Sequence, residues 1–225
     1  MTLIQSVKEL GITNPLILKP LGNGKLQIIC GHRRAYVAKK ISLEMVPAWC
    51  ISKNLPETEL IRLNLIEKNR TYSDIEFGNI IAKLFSRKTE EKSIITEYMP
   101  MIGLERSKKL FDQYLLSAQL DIGLQKILHE LKIPIRIYNV CFSWKLNCQK
   151  VLKVALTKLR PGVNKVRFLL ETVDEIRCRE NSTPQDIFSE NHLSKILESG
   201  GNAGTTFDKI QEHLFKRRFP ELDQL

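Results

Sequence analysis

The hydrophobic pattern of the first 70 residues switches repeatedly between the spacing of helices and that of strands. Apolar residues three to four positions apart predict helices, whereas short apolar runs bounded by glycine or proline predict strands. On this basis we predict helices over residues 3–10, 32–41 and 58–67, and strands over 16–19, 25–30 and 46–51. The glycine-rich turn at 22–24 joins the first two strands as a hairpin. The front of the chain therefore predicts a compact α+β domain of residues 1–70.

From residue 72 onward the apolar spacing is almost entirely helical. Residues 199–206 are rich in glycine and are predicted to be a flexible linker before a last helix over 207–215. We therefore predict an α+β domain (1–70), an all-α middle domain (71–148) and a helical C-terminal region (149–225). The apolar stripe of the last helix could dock on the body of the chain or on a second copy of it, as a homodimer.

Charge points to a polyanionic partner. The net charge is +10 and the isoelectric point is near 9.4. Residues 1–70 carry 11 basic and 5 acidic side chains, a surplus of six, whereas residues 151–225 carry 12 and 11, a surplus of one. The basic excess therefore belongs to the front of the chain and not to a tail.

Cysteine usage and hydropathy exclude several classes of protein. The five cysteines are scattered, without a C-x-x-C pair, so neither a zinc site nor a disulfide framework is predicted. No apolar run approaches the ~18 residues that a membrane-spanning helix needs. We expect a soluble, cytoplasmic protein without a membrane partner.

The stretch most suggestive of chemistry is the junction at Gly31. An apolar strand ends there and a helix follows at once, with Arg33 and Arg34 in its first turn. A helix N-terminus already attracts anions, and two arginines placed against the helix dipole suit a bound polyphosphate. A solvated basic helix start beside a buried glycine turn explains the same residues, so both interpretations stay open.

Four motifs in order give the chain a resemblance to the N-terminal domain of the ParB family. The box at 31–38, GHRRAYVA, is similar to the family's Gly-Glu-Arg-Arg-x-x-Ala-Ala box. The flanking motifs are SVKELGITNPLIL at 6–18, VPAWC at 46–50, and LIEKNR at 65–70 followed by Ile75 and Glu76. The family resemblance extends over about residues 4–145.

The resemblance implies CTP and a divalent metal, Mg²⁺, as cofactors, with nucleotide closing two subunits into a clamp around DNA. Carried over by motif, Gly31, His32, Arg33, Arg34 and Arg70 belong to the nucleotide-binding set. Asn69 belongs to both the nucleotide set and the metal site, and Glu67 is the candidate metal ligand and catalytic residue. Two departures weaken the metal site: His32 replaces the family's Glu, and Lys68 stands where an Asn follows the Glu. Nucleotide binding is thus expected before hydrolysis, and Glu67 with Arg70 could also be a plain surface pair.

Residues 93–116 have the pattern of a helix-turn-helix, with Gly103 in the turn. Arginine and glutamine can read base edges, and lysine and serine can hold phosphates. The candidate DNA-binding residues of the second helix are Arg106, Ser107, Lys108, Lys109 and Gln113. An ordinary helical hairpin with a basic solvated face gives the same pattern. The order of box domain and helix-turn-helix is that of ParB, which favours DNA binding.

The function expected from the resemblance is DNA binding, gated by nucleotide, in partition, maintenance or regulation of a plasmid, phage, mobile element or chromosome. Double-stranded DNA is the expected partner. The family's arm for a partner ATPase is not expected, because Met1 lies almost at the first helix.

An enzyme of the same fold is the alternative. A weak CTPase or a nucleotide-dependent phosphotransferase would use the box. A metal-dependent nuclease would need clustered carboxylates, for which Glu67, Asp74 and Glu76 are the candidates. Sulfiredoxin-like chemistry would need Cys30 as a reactive thiol, although a buried structural thiol fits its strand position better.

Overall fold

The computed structural model describes residues 2–21, 24–51, 55–67, 71–189 and 202–218. It divides into two compact units: Met1–Arg70 with Arg87–Leu104, and Thr71–Ser86 with Glu105–Leu225. The first unit holds the strands and the second is helical, so the expected class, an α+β N-terminal part followed by helices, is confirmed at that level. The finer domain limits, 1–70, 71–148 and 149–225, stay a prediction.

The elements follow one another in short segments. The strands are β1 Leu16–Pro20, β2 Leu26–Cys30 and β3 Ala48–Cys50. The first helices are α1 Leu3–Leu10, α2 His32–Lys40, α3 Glu57–Ile66 and α4 Asp74–Ser86; α5 runs through Glu91–Ser93, a π-helical stretch Ile94–Tyr98 and Met99–Met101. The later helices are α6 Lys108–Ser117, α7 Ile122–Glu130, α8 Ile135–Tyr138 with a 3₁₀ turn Asn139–Ser143, α9 Leu146–Leu159, α10 Val163–Glu180, α11 Pro184–Ser189 and α12 Ala203–Arg218.

The sheet of the first unit has the order β2-β1-β3. β1 pairs antiparallel with β2, as the predicted hairpin requires, and parallel with β3. β3 is shorter than the predicted 46–51 because Pro47 has no N–H to donate to the ladder. Its carbonyl still accepts from the Leu16 amide at 2.9 Å. The central strand buries Leu16 and Leu18 in the core of this unit.

Local signals fix the entrance of the first helix. Thr2 caps α1 in a reciprocal capping box with Gln5, and Gly11 ends the helix at φ +69°. α1 packs against α2, so that the N-terminus of the described chain lies beside the box helix. The predicted helix over 3–10 is confirmed, and its capping residue is adjacent to it in sequence.

The second unit is centred on a close crossing of α4 and α6. A Cβ added at Gly78 would lie 2.1 Å from Ser117 Oγ and 2.7 Å from the Tyr114 carbonyl oxygen. Only glycine therefore lets the two helices approach this closely. The core continues through buried apolar residues of α7, α9 and α10.

The C-terminal helix begins earlier than its composition suggests. α12 starts at Ala203, so residues 203–206 are helical and not part of a linker, and Thr206 is buried. Residues 199–201 of the predicted linker lie outside the described residues. The apolar stripe of α12 docks on the same chain, because Phe207, Ile210 and Leu214 are all buried. Dimerisation stays a prediction that this stripe no longer supports.

None of the helices in the described ranges is long and apolar enough to cross a membrane.

Candidate functional site

The candidate site is built on the turn from β2 into α2. Gly31 has φ +95° and ψ 18°, a left-handed conformation that favours glycine. A Cβ at this position would also meet Leu16 Cδ2 at 2.5 Å, inside the core. The glycine of the box is thus required by backbone and packing together. Gly31 places the start of α2 directly after β2, the second strand of the hairpin.

The N-terminus of α2 carries no side-chain cap. The amides of the first helical turn have no intrahelical acceptor, and they lie at the positive end of the helix dipole. Arg33 in this turn is exposed and adds a full positive charge. An anion at this place would satisfy the free amides and offset the charge.

The two arginines of the box are in different positions. The Arg34 guanidinium donates to the carbonyl oxygens of Asn14 and Pro15, the latter at 2.9 Å, and so holds the turn before β1. To bind phosphate as well, Arg34 would have to share its N–H groups with these carbonyls. Arg33 is the arginine of the box that lines a pocket.

That pocket lies between α1 and α2 within the first unit and has a volume of about 440 Å³. Its lining residues come from both helices: Thr2, Leu3, Ile4, His32, Arg33, Tyr36 and Val37. A lining that combines apolar side chains with a cation and an imidazole suits a ligand that has both an apolar part and an anionic part. Sequence reasoning found His32 and Arg33 but missed the contribution of α1, since no spacing rule connects residues 30 positions apart.

Glu67 lies near the same end of β2. Burial raises the pKa of the Cys30 thiol, the Glu67 carboxylate raises it further, and Arg34 lowers it. Both Glu67 and Arg34 are therefore near the end of the strand that precedes Gly31. Asn69 and Arg70 lie outside the described residues. In the described part of the chain no group of three or more His, Cys, Asp or Glu side chains could hold a metal ion.

The same geometry argues against Cys30 as a nucleophile. The thiolate is the reactive form, and a raised pKa reduces its population at neutral pH. Cys30 is 4% exposed, as a structural thiol in a strand would be. The alternative of sulfiredoxin-like chemistry therefore has no support from this site.

Two of the three carboxylates considered for a nuclease have structural partners. Asp74 accepts the Tyr114 hydroxyl at 2.8 Å and the Ile135 amide at 2.7 Å, which ties α4 to α6 and α8. Glu76 accepts the Ser73 amide at 3.0 Å while Ser73 Oγ accepts the Glu76 amide, a capping box at the start of α4. Their place in the sequence is explained by folding.

The segment predicted as a helix-turn-helix is present as two helices, α5 in the first unit and α6 in the second. Gly103 between them has φ +82°, and Ser107 caps α6 by accepting from the Leu110 amide at 3.3 Å. The motif itself, which depends on how the helices pack, stays a prediction.

The surface of α6 has the exposed cations that DNA contact requires. Lys109 of α6 and Arg106, which lies just before the helix cap, are exposed, and Gln113 is half-buried. The helix buries Phe111 and Tyr114. Lys108 forms an ion pair with Asp112 at 2.7 Å, so its charge is partly offset within the helix. Ser107 is used as the helix cap. Arg106 and Lys109 are therefore the stronger candidates.

Comparison with known proteins finds similarity over the N-terminal part of the chain. Residues 1–69 match the family model of the ParB N-terminal domain. The chain is 33% identical over 81 residues to a nucleoid occlusion protein of Geobacillus kaustophilus, an alignment that covers 35% of this chain and 28% of that protein. It is 35% identical over 65 residues to the chromosome-partitioning protein Spo0J of Thermus thermophilus, with 29% of this chain and 23% of that protein covered. A probable chromosome-partitioning protein ParB of Pseudomonas putida is 29% identical over 65 residues, with 29% and 22% covered.

The resemblance to the ParB N-terminal domain seen in the sequence motifs is therefore confirmed over residues 1–69. The chain spans about a quarter of the length of the curated relatives it matches.

Proposed function

We propose that the protein is a ParB-like DNA-binding protein of a DNA partition system, in which the first unit binds CTP with Mg²⁺ and gates the binding of double-stranded DNA. The observation that carries the proposal is the pocket between α1 and α2, bounded by Arg33 at an uncapped helix N-terminus within a ParB N-terminal domain. The names of the relatives refer to chromosome partitioning and nucleoid occlusion. Such a protein acts on DNA in the cytoplasm.

The residues present fit a nucleoside triphosphate. The free first-turn amides of α2 donate to phosphate oxygens, and Arg33 grips them through its planar fork. The ring of Tyr36, which is 67% exposed, offers a face on which a base can stack. His32 at the pocket edge supplies a ring nitrogen for a further hydrogen bond.

The residues also fit Mg²⁺ as a companion of the nucleotide. Mg²⁺ usually keeps several waters and takes one or two carboxylates together with substrate phosphates. Glu67 is exposed near the box and would supply that carboxylate, with Asn69 beside it in sequence. When bound, Mg²⁺ would neutralise phosphate charge.

DNA contact is assigned to the exposed side of α6. Lys109 and, just before the helix, Arg106 would hold phosphates or base edges, and Gln113, four residues after Lys109, would reach a base from the same side as Lys109. The packing of Phe111 and Tyr114 into the core fixes that orientation of the helix. The nuclease alternative is not proposed, since Asp74 and Glu76 already have structural partners.

The test measures binding to a random-sequence 40-base-pair duplex by fluorescence anisotropy between 50 and 200 mM KCl. The α6 variant carries both Arg106→Ala and Lys109→Ala. It should bind DNA more weakly, and its slope of log K against log salt should be smaller by about one for each phosphate that it no longer neutralises. The matched control removes two exposed cations of α10 and α12, Arg167→Ala with Lys209→Ala. Equal binding by the α6 variant and wild type would contradict the assignment of α6.

A further inference from the structure

The most unusual charge distribution lies outside both proposed sites. Residues 131–160 contain seven lysine and arginine residues and no aspartate or glutamate. This segment surrounds α9, which belongs to the region for which the sequence alone suggested no role. The overall surplus of residues 151–225 is one positive charge, so the local excess is hidden when the chain is counted by thirds.

α9 presents its cations on one exposed face. Leu146, Lys150, Lys153 and Thr157 follow the i, i+4, i+7, i+11 spacing of a helix face, and all four are exposed. The opposite face buries Leu152, Leu156 and other apolar residues in the core of the second unit. Lys158 and Lys145 are exposed on either flank. We call Lys150, Lys153 and Thr157 the lysine face of α9.

On several other helices the cations are paired with acidic residues. Lys108 of α6 pairs with Asp112, Arg177 of α10 with Asp174, and Lys216 of α12 with Glu212. Within the part of the chain that the structure describes, neither Lys150 nor Lys153 has an ion-pair partner. Like charges three residues apart on a helix repel each other, and no acidic residue of α9 compensates for that repulsion.

The position of Lys153 is set by its neighbour. Its side chain crosses the start of α7, where a Cβ added at Gly123 would lie 2.9 Å from Lys153 Cε and 3.0 Å from Cδ. The absence of a side chain at Gly123 makes room for the lysine stem. Lys126 of α7 is exposed and adds a further cation to this unit. The face is therefore held by tertiary packing as well as by helix spacing.

We propose that the lysine face of α9 is a second surface for the phosphate backbone of double-stranded DNA, distinct from α6. The inference rests on the proposed DNA-binding function. A helix of 14 residues is about 21 Å long, which matches about six base pairs of duplex at 3.4 Å each. Lysines suit phosphate oxygens and carry no base preference, whereas the Thr157 hydroxyl already donates to the Lys153 carbonyl oxygen at 2.7 Å. This surface therefore adds affinity and not sequence specificity.

Exposed Leu146 and Val154 flank the lysines. A basic face with apolar neighbours can also attach to an anionic lipid surface. DNA is favoured because only two large apolar side chains of α9 are exposed, and because the cations stand on a packed helix whose apolar side is already in the core.

The experiment compares two double variants of the full chain. The lysine variant carries Lys150→Gln and Lys153→Gln, and the charge-matched control carries Arg167→Gln and Lys209→Gln. Binding to the random 40-base-pair duplex is measured by anisotropy between 50 and 200 mM KCl, and circular dichroism verifies that each variant is folded. Each phosphate contact contributes about 0.9 to the salt slope and roughly eightfold to affinity at 0.1 M salt. The salt slope of the lysine variant should therefore be smaller by about 1.8, and its Kd should be roughly ten- to sixtyfold higher. The changes in slope and in Kd of the control should each be less than about half of these.

Identical slopes for the lysine variant and the control would overturn the inference, while weaker binding by the α6 variant in the same assay would leave the proposed function standing. Absence of salt-dependent DNA binding by the wild type would overturn both. Sedimentation with vesicles of phosphatidylcholine and phosphatidylserine tests the lipid surface. Vesicle binding that disappears in the lysine variant, with DNA binding unchanged, would overturn the assignment to DNA.

Discussion

Asp74 is the residue whose replacement tests the structure of the second unit most severely. Its carboxylate accepts the buried Tyr114 hydroxyl and the Ile135 amide, so Asp74→Ala removes the acceptor of both donors. A buried donor left without a partner costs about 1–3 kcal/mol, and the two donors together predict a loss of about 3 kcal/mol. Tyr114→Phe removes one donor together with its need for an acceptor and should cost about 1 kcal/mol.

The assay is urea unfolding followed by tryptophan fluorescence. Trp49 in the first unit is 70% exposed and Trp144 in the second unit is 5% exposed. In a Trp49→Phe background the signal therefore reports the unfolding of the second unit alone. Asp112→Ala is the control, because Asp112 forms only a surface ion pair with Lys108 and its loss should cost less than about 0.5 kcal/mol.

A free energy of unfolding for Asp74→Ala within about 0.5 kcal/mol of wild type would refute the reasoning. It would mean that water replaces the carboxylate at both donors, and that Asp74 is available for another role. A stabilised Asp74→Ala variant would point to a functional carboxylate, because active sites commonly sacrifice stability.

Two further predictions concern the same unit. Gly78→Ala should lower the free energy of unfolding by at least about 2 kcal/mol, because the added methyl group forces α4 and α6 apart. The control Gly204→Ala makes only ordinary contacts and should raise the free energy of unfolding by up to about 1 kcal/mol in the same assay. Hydrogen bonds from Arg217 and then Arg179 hold the pKa of Glu180 below its usual value of about 4.3. The link of α10 to α12 is then fully present above that value and is lost as pH falls through the lowered pKa, by at most about 1 kcal/mol. The free energy of unfolding should therefore fall less between pH 6 and pH 3 in Glu180→Gln than in the wild type, by that amount, and an equal fall in both would contradict the assignment.

The elements that sequence reasoning predicted are those with local signals. The residues that begin and end α1, Thr2 and Gly11, are directly adjacent to the helix. The hairpin of β1 and β2 follows from its short turn. The glycine of the box could be predicted as a turn because an apolar strand stops there. Its clash with Leu16, which makes glycine obligatory, depends on the folded sheet.

The candidate site could be predicted only in part. The two arginines of the box are equivalent by type, yet Arg34 holds a turn 20 residues earlier in the chain and Arg33 lines the pocket. The contribution of α1 to the pocket depends on helix packing that no periodicity reports. Asp74 likewise looks like a first-turn acid in sequence, and its contact with Ile135 spans 61 residues.

The linker at 199–206 shows a different limit. Glycine composition predicts flexibility, but Thr206 and Phe207 are buried, and their burial extends α12 back to Ala203. Tertiary packing outweighs the low helix propensity of Gly204. The sequence predicts an amphipathic basic helix over residues 148–160 but gives it no role, since counting charge by thirds averages the local excess away.

The measurement that tests the central claim most directly is isothermal titration calorimetry of CTP and of ATP, each with Mg²⁺, with the random duplex DNA present. The titrations use the wild type, Arg33→Ala, and Lys39→Ala as a control that removes an exposed cation from the same helix outside the pocket. We expect CTP to bind the wild type and the control alike and to bind Arg33→Ala at least about tenfold more weakly, because the variant lacks a charge-assisted hydrogen bond to phosphate. If neither CTP nor ATP binds the wild type, or if CTP binds Arg33→Ala as tightly as it binds the wild type, the result would contradict a working nucleotide site in the first unit.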